Sequence, residues 1–175
     1  MKRLFFLILI SLMWSVGFAQ STLKAGDKAP DFTAKDQDGN NVTLSKLKGK
    51  KVVLYFYPKD NTPGCTAEAC NLRDNIDSLT QKGYVVLGIS SDDEISHKQF
   101  KEKYALPFPL LVDKDKTIHQ KYGVWVEKER DGKKVWGTSR TTFIIDAQGL
   151  ISRVIDKVDT AQHAQQILKS DDTNR

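Results

Sequence analysis

The chain has 175 residues, 39% of them hydrophobic, with 27 basic and 22 acidic side chains and a formal net charge of +5. This modest excess, with no basic run interleaved with aromatic residues, argues against a nucleic-acid-binding protein. The length suits a single domain with its own hydrophobic core, and the sequence contains no repeat, low-complexity stretch or linker that would divide it.

The first 19 residues have the pattern of an export signal. Lys2 and Arg3 form a short positive segment, and an almost wholly apolar run extends from Leu4 to Gly17, with small residues before the expected cut. A membrane-spanning helix needs about 20 apolar residues, so this pattern favours cleavage over the alternative of a retained anchor. We therefore expect an exported protein, periplasmic or secreted, whose residues 20–175 form one domain without stable membrane association.

The first half of that domain contains the patterns of a hairpin, a buried strand and a long helix. Two short segments around the polar turn Gln37–Asn40 predict the hairpin. The apolar run Val52–Tyr57 predicts a central strand that is buried on both faces. From Thr62 to Lys82 apolar residues recur at spacings of three and four, which indicates a helix with Thr62 as N-cap and Pro63 in its first position.

The second half alternates strands with helices and closes on another hairpin. The predicted elements are, in order, a strand at Val85–Ser90, a helix around Phe100, a strand at Leu110–Val112, a short helix at Thr117–Tyr122, paired strands at Thr141–Ile145 and Leu150–Val154, and a last helix at Thr160–Leu168. The charged stretch from Glu127 to Lys134 indicates an exposed turn between extended segments. This order predicts an α/β fold with a mixed central sheet flanked by helices and an N-terminal hairpin extension.

The two cysteines of the chain, Cys65 and Cys70, lie five residues apart near the start of the long helix. A bridge between them would close a very small loop and would add little stability, so we interpret the pair as chemical rather than structural. On an intact α-helix their Cα atoms are roughly 8.7 Å apart. A disulfide rarely spans more than about 7 Å, so a bridge between them requires this turn to unwind.

Cys65 follows Thr62-Pro63-Gly64, at the point where a central strand has ended and a helix begins. Ligands of open α/β sheets bind at this edge, and the free N–H groups and dipole of a helix start favour an anion. The placement therefore favours the thiolate of Cys65, which is the reactive form of a cysteine. A small, buried, apolar cysteine is the alternative interpretation.

The segment around Cys65 resembles the active-site signature of peroxiredoxins, in which a proline, a threonine four residues on and a cysteine three further surround the peroxide. Pro58, Thr62 and Cys65 match that signature position for position. The continuation Cys-Thr-x-Glu-x-Cys is similar to the peroxiredoxin Q branch, also called bacterioferritin comigratory protein. The likeness extends from Gly26 to Asp146, and it implies a thioredoxin-like fold and a thiol-dependent peroxidase of antioxidant defence.

The resemblance implies a role for each matched residue. Cys65 would attack hydrogen peroxide or an organic hydroperoxide and become a sulfenic acid, and Cys70 would resolve that acid as an intramolecular disulfide. Thr62 would hydrogen-bond the peroxide, and Pro58 would shield the pocket from water. Arg140 would hold the thiolate and stabilise the developing oxyanion, with a surface arginine as the alternative. The resemblance also implies a monomer without cofactor or metal, re-reduced by a thioredoxin-like protein.

Other polar and aromatic residues receive more ordinary interpretations. Glu68 and Arg73 lie on the same predicted helix, and an exposed ion pair is as good an interpretation as a functional role. Trp125 and Trp136 are predicted to pack in the core rather than to line a pocket. His97 is predicted at a solvated surface position rather than as a proton relay, and His119 and His163 are predicted at ordinary polar helix positions.

Two other classes of protein with this fold also have cysteines at the start of a helix. A periplasmic thiol–disulfide oxidoreductase shares the fold, but its cysteines are spaced as Cys-x-x-Cys. A copper-binding assembly factor of the same fold pairs Cys-x-x-x-Cys with a distant histidine. Neither spacing occurs here, and a copper-binding factor would have no use for Pro58, Thr62 and Arg140.

Overall fold

The computed structural model describes residues 23–169, so the predicted export signal lies outside the described residues. The elements in chain order are β1 (Thr33–Lys35), β2 (Asn41–Thr43), a 3₁₀ helix (Leu44–Leu47), β3 (Lys51–Phe56), α1 (Pro63–Asp74), α2 (Ile76–Gln81), β4 (Tyr84–Ser90), α3 (Glu94–Lys103), β5 (Leu110–Val112), α4 (Thr117–Lys121), β6 (Trp125–Arg130), β7 (Lys133–Thr138), β8 (Thr141–Ile145), β9 (Ile151–Ile155) and α5 (His163–Leu168). Within this part of the chain no helix is long and apolar enough to cross a membrane.

A five-stranded mixed sheet forms the centre of the molecule, in the order β5-β4-β3-β8-β9. β3, β4 and β5 run parallel to one another, whereas β8 is antiparallel to both β3 and β9. β3 is the middle strand, and its residues from Val52 to Phe56 are all buried, as its continuous apolar run predicts. The predicted α/β fold with a mixed central sheet is confirmed, and β1 and β2 pair as the predicted N-terminal hairpin.

Hydrophobic core covers both faces of the sheet, because side chains alternate along β3. Val53 and Tyr55 belong to a cluster that includes buried residues of α1, α2, α3 and α5. Leu54 and Phe56 belong to a second cluster on the opposite face, together with residues of α4 and the N-terminal segment. Cys65 is buried in the first cluster, so the face covered by α1 and α5 carries the candidate site.

The helix predicted from Thr62 to Lys82 is divided into α1 and α2. Asn75 lies between them with φ −112° and ψ 16°, and its side-chain amide donates a hydrogen bond to the carbonyl oxygen of Asn71 at 2.8 Å. Short amide side chains compete with the backbone for helical hydrogen bonds, which explains the break. The apolar periodicity continues across the break, so it predicted one helix instead of two.

The charged stretch predicted as a turn lies in the hairpin of β6 and β7, a two-stranded sheet separate from the central one. Asp131 and Gly132 both have positive φ, as a tight two-residue hairpin turn requires. The prediction that Trp136 packs in the core was wrong, because this side chain on β7 is 59% exposed. Trp125, at the start of β6, is half-buried with its ring 6.2 Å from that of His119.

Candidate active site

The start of α1 brings the first cysteine to the edge of the sheet. Thr62 has the extended backbone of an N-cap, and Pro63 occupies the first turn, both as predicted. The Thr62 hydroxyl does not cap the helix; it donates a hydrogen bond to the carbonyl oxygen of Lys59 at 3.0 Å. Cys65 is therefore the third residue of α1, where the N–H groups and the helix dipole favour a negative charge.

Arg140 lies at the Cys65 thiol because of how β8 pairs with β3. The antiparallel register sets Thr141 beside Phe56, so the residue before β8 lies next to the end of β3. Cys65 is 1% exposed, and Nη2 of Arg140 donates to its Sγ at 3.3 Å. A Cβ on Gly64 would lie 3.3 Å from the same nitrogen, so the missing side chain leaves room for the guanidinium.

Glu68 completes a buried charged group around Arg140. It is fully buried one turn after Cys65, so both side chains lie on the same face of α1. One of its oxygens accepts a hydrogen bond from Nη1 of Arg140, and the other lies 3.1 Å from Nδ1 of His163. Burial by itself lowers the pKa of Arg140, but the charges of Glu68 and Cys65 outweigh it and raise that pKa above its usual value. The guanidinium therefore stays charged beside the sulfur.

Of the two interpretations of Glu68 and Arg73, the exposed ion pair between them was wrong. Arg73 instead pairs with its neighbour Asp74 at 2.8 Å and donates to the carbonyl oxygen of Tyr104 at 2.7 Å. Positions 68 and 73 are five residues apart, so they do not face each other on one helix. Glu68 is buried because its partners come from β8 and α5, which no local pattern reveals.

His163 was predicted at an ordinary polar position and is instead fully buried at the start of α5. Its Nε2 lies 3.0 Å from the hydroxyl oxygen of Thr142, and its Nδ1 faces Glu68. Asn71 fastens α5 to α1, because its side chain accepts a hydrogen bond from the N–H of Ala164 at 2.8 Å. The C-terminal helix therefore contributes to the surroundings of the buried charges.

The loop between β3 and α1 carries the other two signature residues. Pro58 is exposed and Thr62 is half-buried. Between them, Asn61 has a φ of 57°, in the left-handed region that asparagine tolerates better than most residues. Asp60 is buried, and its carboxylate is bound by side chains inside the protein. Loop and helix start thus bring Pro58, Thr62 and Cys65 to one edge of the sheet.

The other two histidines were predicted as a solvated surface residue, His97, and an ordinary polar helix position, His119, and both predictions were wrong. His97 and His119 are fully buried, and each places Nδ1 against a buried carboxylate. The His97 partner is Asp60 at 2.8 Å, and the His119 partner is Asp113 at 2.5 Å. Asp113 directly follows β5 and Asp60 lies in the loop that follows β3, so an aspartate after a central strand is the signal that sequence reasoning overlooked.

Cys70 has different surroundings from those of Cys65. It is half-buried, five residues further along an uninterrupted α1, and both cysteines are free. Arg73 lies near it on the same helix, and the pKa of Arg73 is raised first by the hydrogen bond to Asp74 and then by the charge of Cys70. Between residues 23 and 169, no three His, Cys, Asp or Glu residues are grouped as a metal site would need.

Comparison with known proteins adds family context to this geometry. A family model described as AhpC/TSA matches residues 25–154. A putative peroxiredoxin bcp of Coxiella burnetii is 52% identical over 147 residues, which are 84% of this chain and 97% of the relative. Peroxiredoxin Bcp of Escherichia coli is 48% identical over 146 residues, covering 83% of this chain and 94% of that protein.

Solved structures resemble the molecule as well. The bacterioferritin comigratory protein of Xanthomonas campestris, described in terms of its alkyl peroxide reduction activity, superposes with a TM-score of 0.80. Its sequence identity to this chain is 32%, and the match covers 86% of this chain and 98% of the other.

Proposed function

We propose that Cys65 is the residue that attacks the hydroperoxide. The chain belongs to the AhpC/TSA family, in its peroxiredoxin Q or bacterioferritin comigratory protein branch. It is therefore a thiol peroxidase of thioredoxin-like fold. One observation carries this proposal: the buried Sγ of Cys65 lies at a helix start with the guanidinium of Arg140 3.3 Å away. Both features favour a thiolate, which is the nucleophilic form.

The first step forms one bond and breaks one. The Cys65 thiolate attacks an oxygen of the peroxide, an S–O bond forms, and the O–O bond breaks. The second oxygen leaves with the electron pair and takes up a proton, giving water or an alcohol, while the sulfur is oxidised to a sulfenic acid. Arg140 stabilises the charge that develops on the oxygens, and the Thr62 hydroxyl hydrogen-bonds the bound peroxide. Pro58 keeps bulk water away from the reacting atoms.

The second step uses Cys70. Its sulfur attacks the sulfenic sulfur of Cys65, a disulfide forms, and water leaves. The separation of roughly 8.7 Å between Cα atoms five apart on a helix exceeds the limit of about 7 Å for a disulfide. The first turns of α1 must therefore unwind, and Glu68, which lies between the two cysteines, leaves its buried contacts with Arg140 in the process.

The proposal also names the reductant of the disulfide, the substrates and the compartment in which the protein acts. A thioredoxin-like protein reduces the disulfide, and hydrogen peroxide and organic hydroperoxides are both substrates. The alkyl peroxide reduction attributed to the Xanthomonas campestris relative supports the second class. The signal-like first 19 residues support export to the periplasm or medium, and we propose that the protein acts there as a monomer.

Stopped-flow mixing of the reduced protein with hydrogen peroxide, and separately with an organic hydroperoxide, tests the function. We expect rapid oxidation of Cys65 to a sulfenic acid, then a slower step that consumes Cys70, and catalytic turnover when a thioredoxin-like reductant is added. A protein that binds Cu(I) tightly but consumes no peroxide would refute the proposal in favour of a copper-binding assembly factor.

A further inference from the structure

A second buried polar cluster anchors the loop between β3 and α1, and the proposed reaction steps do not use it. The carboxylate of Asp60 accepts hydrogen bonds from the hydroxyls of Tyr57 and Ser96, each at 2.7 Å, and lies 2.8 Å from Nδ1 of His97. The backbone N–H of Asp60 donates to the carboxylate of Asp92 at 2.9 Å. The loop is thereby tied to α3 and to the segment that follows β4.

The hydrogen-bond partners of the His97 ring determine how many protons the His97–Asp60 pair holds. Its Nε2 lies 3.2 Å from the carbonyl oxygen of Leu111, and a carbonyl oxygen only accepts hydrogen bonds, so Nε2 carries a proton. Its Nδ1 faces a carboxylate oxygen, and two lone pairs would repel each other there, so a second proton lies between Nδ1 and Asp60. The pair as a whole therefore holds two protons and has no net charge.

The other donors assign the charge within the pair. Tyr57 and Ser96 both donate to the Asp60 carboxylate, which stabilises the ionised acid. Burial raises the pKa of Tyr57 well above its usual value, with the nearby Tyr55 and Asp60 adding to the effect, so its hydroxyl remains a neutral donor. His97 is accordingly an imidazolium, and its charge is balanced by Asp60 inside the protein.

The His97–Asp60 pair holds the loop that carries Pro58 and Thr62, the two residues that contact the peroxide in the proposed function. Asp60 stands between Pro58 and Thr62, and the Thr62 hydroxyl closes the loop by its bond to the carbonyl oxygen of Lys59. A displacement of the Asp60 carboxylate is therefore passed through the loop to Thr62. We propose that His97 is a positioning residue for peroxide reduction, which acts through Asp60 to hold the loop that carries Pro58 and Thr62. This inference rests on the proposed function.

The test separates peroxide positioning from thiol reactivity. In a Cys70→Ser background, which leaves Cys65 as the one thiol, His97→Leu is compared with the unsubstituted background in two reactions. We expect the rate constant with hydrogen peroxide to fall about tenfold or more, since small displacements of positioning groups are costly to a reaction. Alkylation of Cys65 by iodoacetamide, which does not depend on Thr62 or Pro58, should change less than about twofold.

Two further variants give this comparison its controls. His97→Asn keeps an N–H donor near the Asp60 carboxylate, so it should recover part of the peroxide rate. His119→Leu removes the other buried histidine–aspartate pair, whose imidazole packs against Phe56 in the core cluster on the opposite face of the sheet from Cys65. It should leave both rates unchanged, which controls for the general cost of losing such a pair.

A measurement on the unsubstituted protein covers the case in which His97→Leu does not fold. The ¹⁵N chemical shifts of the His97 ring should show that both nitrogens carry protons in the folded protein, as their two acceptors require, and Asp60→Asn should remove the proton from one of them. A neutral His97 in the unsubstituted protein would overturn the inference. So would a peroxide rate that is unaffected in His97→Leu, or one that falls by the same factor as alkylation. If the unsubstituted protein itself did not react with peroxide, the proposed function would fail and this inference with it.

Discussion

Helix α1 holds two cysteines that differ in burial, in their position along the helix and in their basic neighbours. Cys65 lies in the first turn of α1, buried, with Arg140 donating a hydrogen bond to its sulfur. Cys70 lies five residues on, half-buried, in the hydrogen-bonded interior of the helix. Its basic neighbour, Arg73, is already engaged by Asp74.

The difference teaches that access to solvent does not by itself select the reactive thiol. The less exposed sulfur has the partly buried cation of Arg140 and the helix start, and both stabilise a thiolate. The more exposed sulfur is free to move towards its partner once the helix opens. In the proposed cycle each cysteine therefore has the surroundings that its own step needs.

The largest effect should come from removing either thiol. Cys65→Ser should abolish the rapid reaction with peroxide, because the serine hydroxyl is a far weaker nucleophile than a thiolate. Cys70→Ser should leave that first reaction intact and trap the sulfenic acid, which dimedone labelling and mass spectrometry would detect. Loss of the rapid reaction in Cys70→Ser alone would mean that the two roles are reversed.

Removal of the cation should make the surroundings of Cys65 more like those of Cys70. Arg140→Ala should slow Cys65 oxidation about 100-fold, as the loss of one oxyanion donor typically does. Stopped-flow rates of both proteins with hydrogen peroxide provide the check.

Arg73→Ala is the matched control, because it removes an arginine of the same helix region that is bound to Asp74 and not to Cys65. Its first-step rate should stay within about twofold of the unsubstituted protein, since exposed ion pairs contribute little. Equal rate losses in the two arginine variants would contradict a specific role for Arg140.

A smaller effect should follow from neutralising the buried acid between the cysteines. Glu68→Gln keeps the shape of the side chain but leaves Arg140 without its charged partner, so the free energy of unfolding should fall by about 2 kcal/mol. Urea denaturation would measure this change. Glu127→Gln, which removes an exposed partner of Lys134, is the control and should lower the free energy of unfolding by less than about 1 kcal/mol. A similar loss of stability in both variants would argue against a stabilising pair of Glu68 and Arg140.

The smallest effect concerns motion within α1. If the disulfide requires unwinding, amide hydrogens of residues 62–70 should exchange faster in the oxidised protein than in the dithiol form. β3 and β4 should exchange equally in both forms, because they lie in the centre of the sheet. Equal protection of residues 62–70 in the two redox states would rule out resolution by Cys70 on the same helix.

Local patterns in the sequence predicted most of the framework of this protein. The apolar run of β3 predicted the central buried strand, and alternating strands and helices predicted the mixed sheet. Thr62 and Pro63 predicted the start of α1, and hence the position of Cys65. These features depend on backbone geometry and on neighbours within a few residues, so they are visible along the chain.

Burial of the polar residues was decided by the tertiary structure alone. Glu68 reaches a partner 72 residues away, and His97 reaches one 37 residues away. A charged or polar side chain avoids the interior unless a partner compensates its lost hydration, so its local sequence predicts exposure. Trp136 shows the converse, because an aromatic ring is buried only where another layer covers it. The sequence by itself determined the sheet, the helix start and the cysteine spacing, and only the packing of distant elements decided which charges surround the thiol.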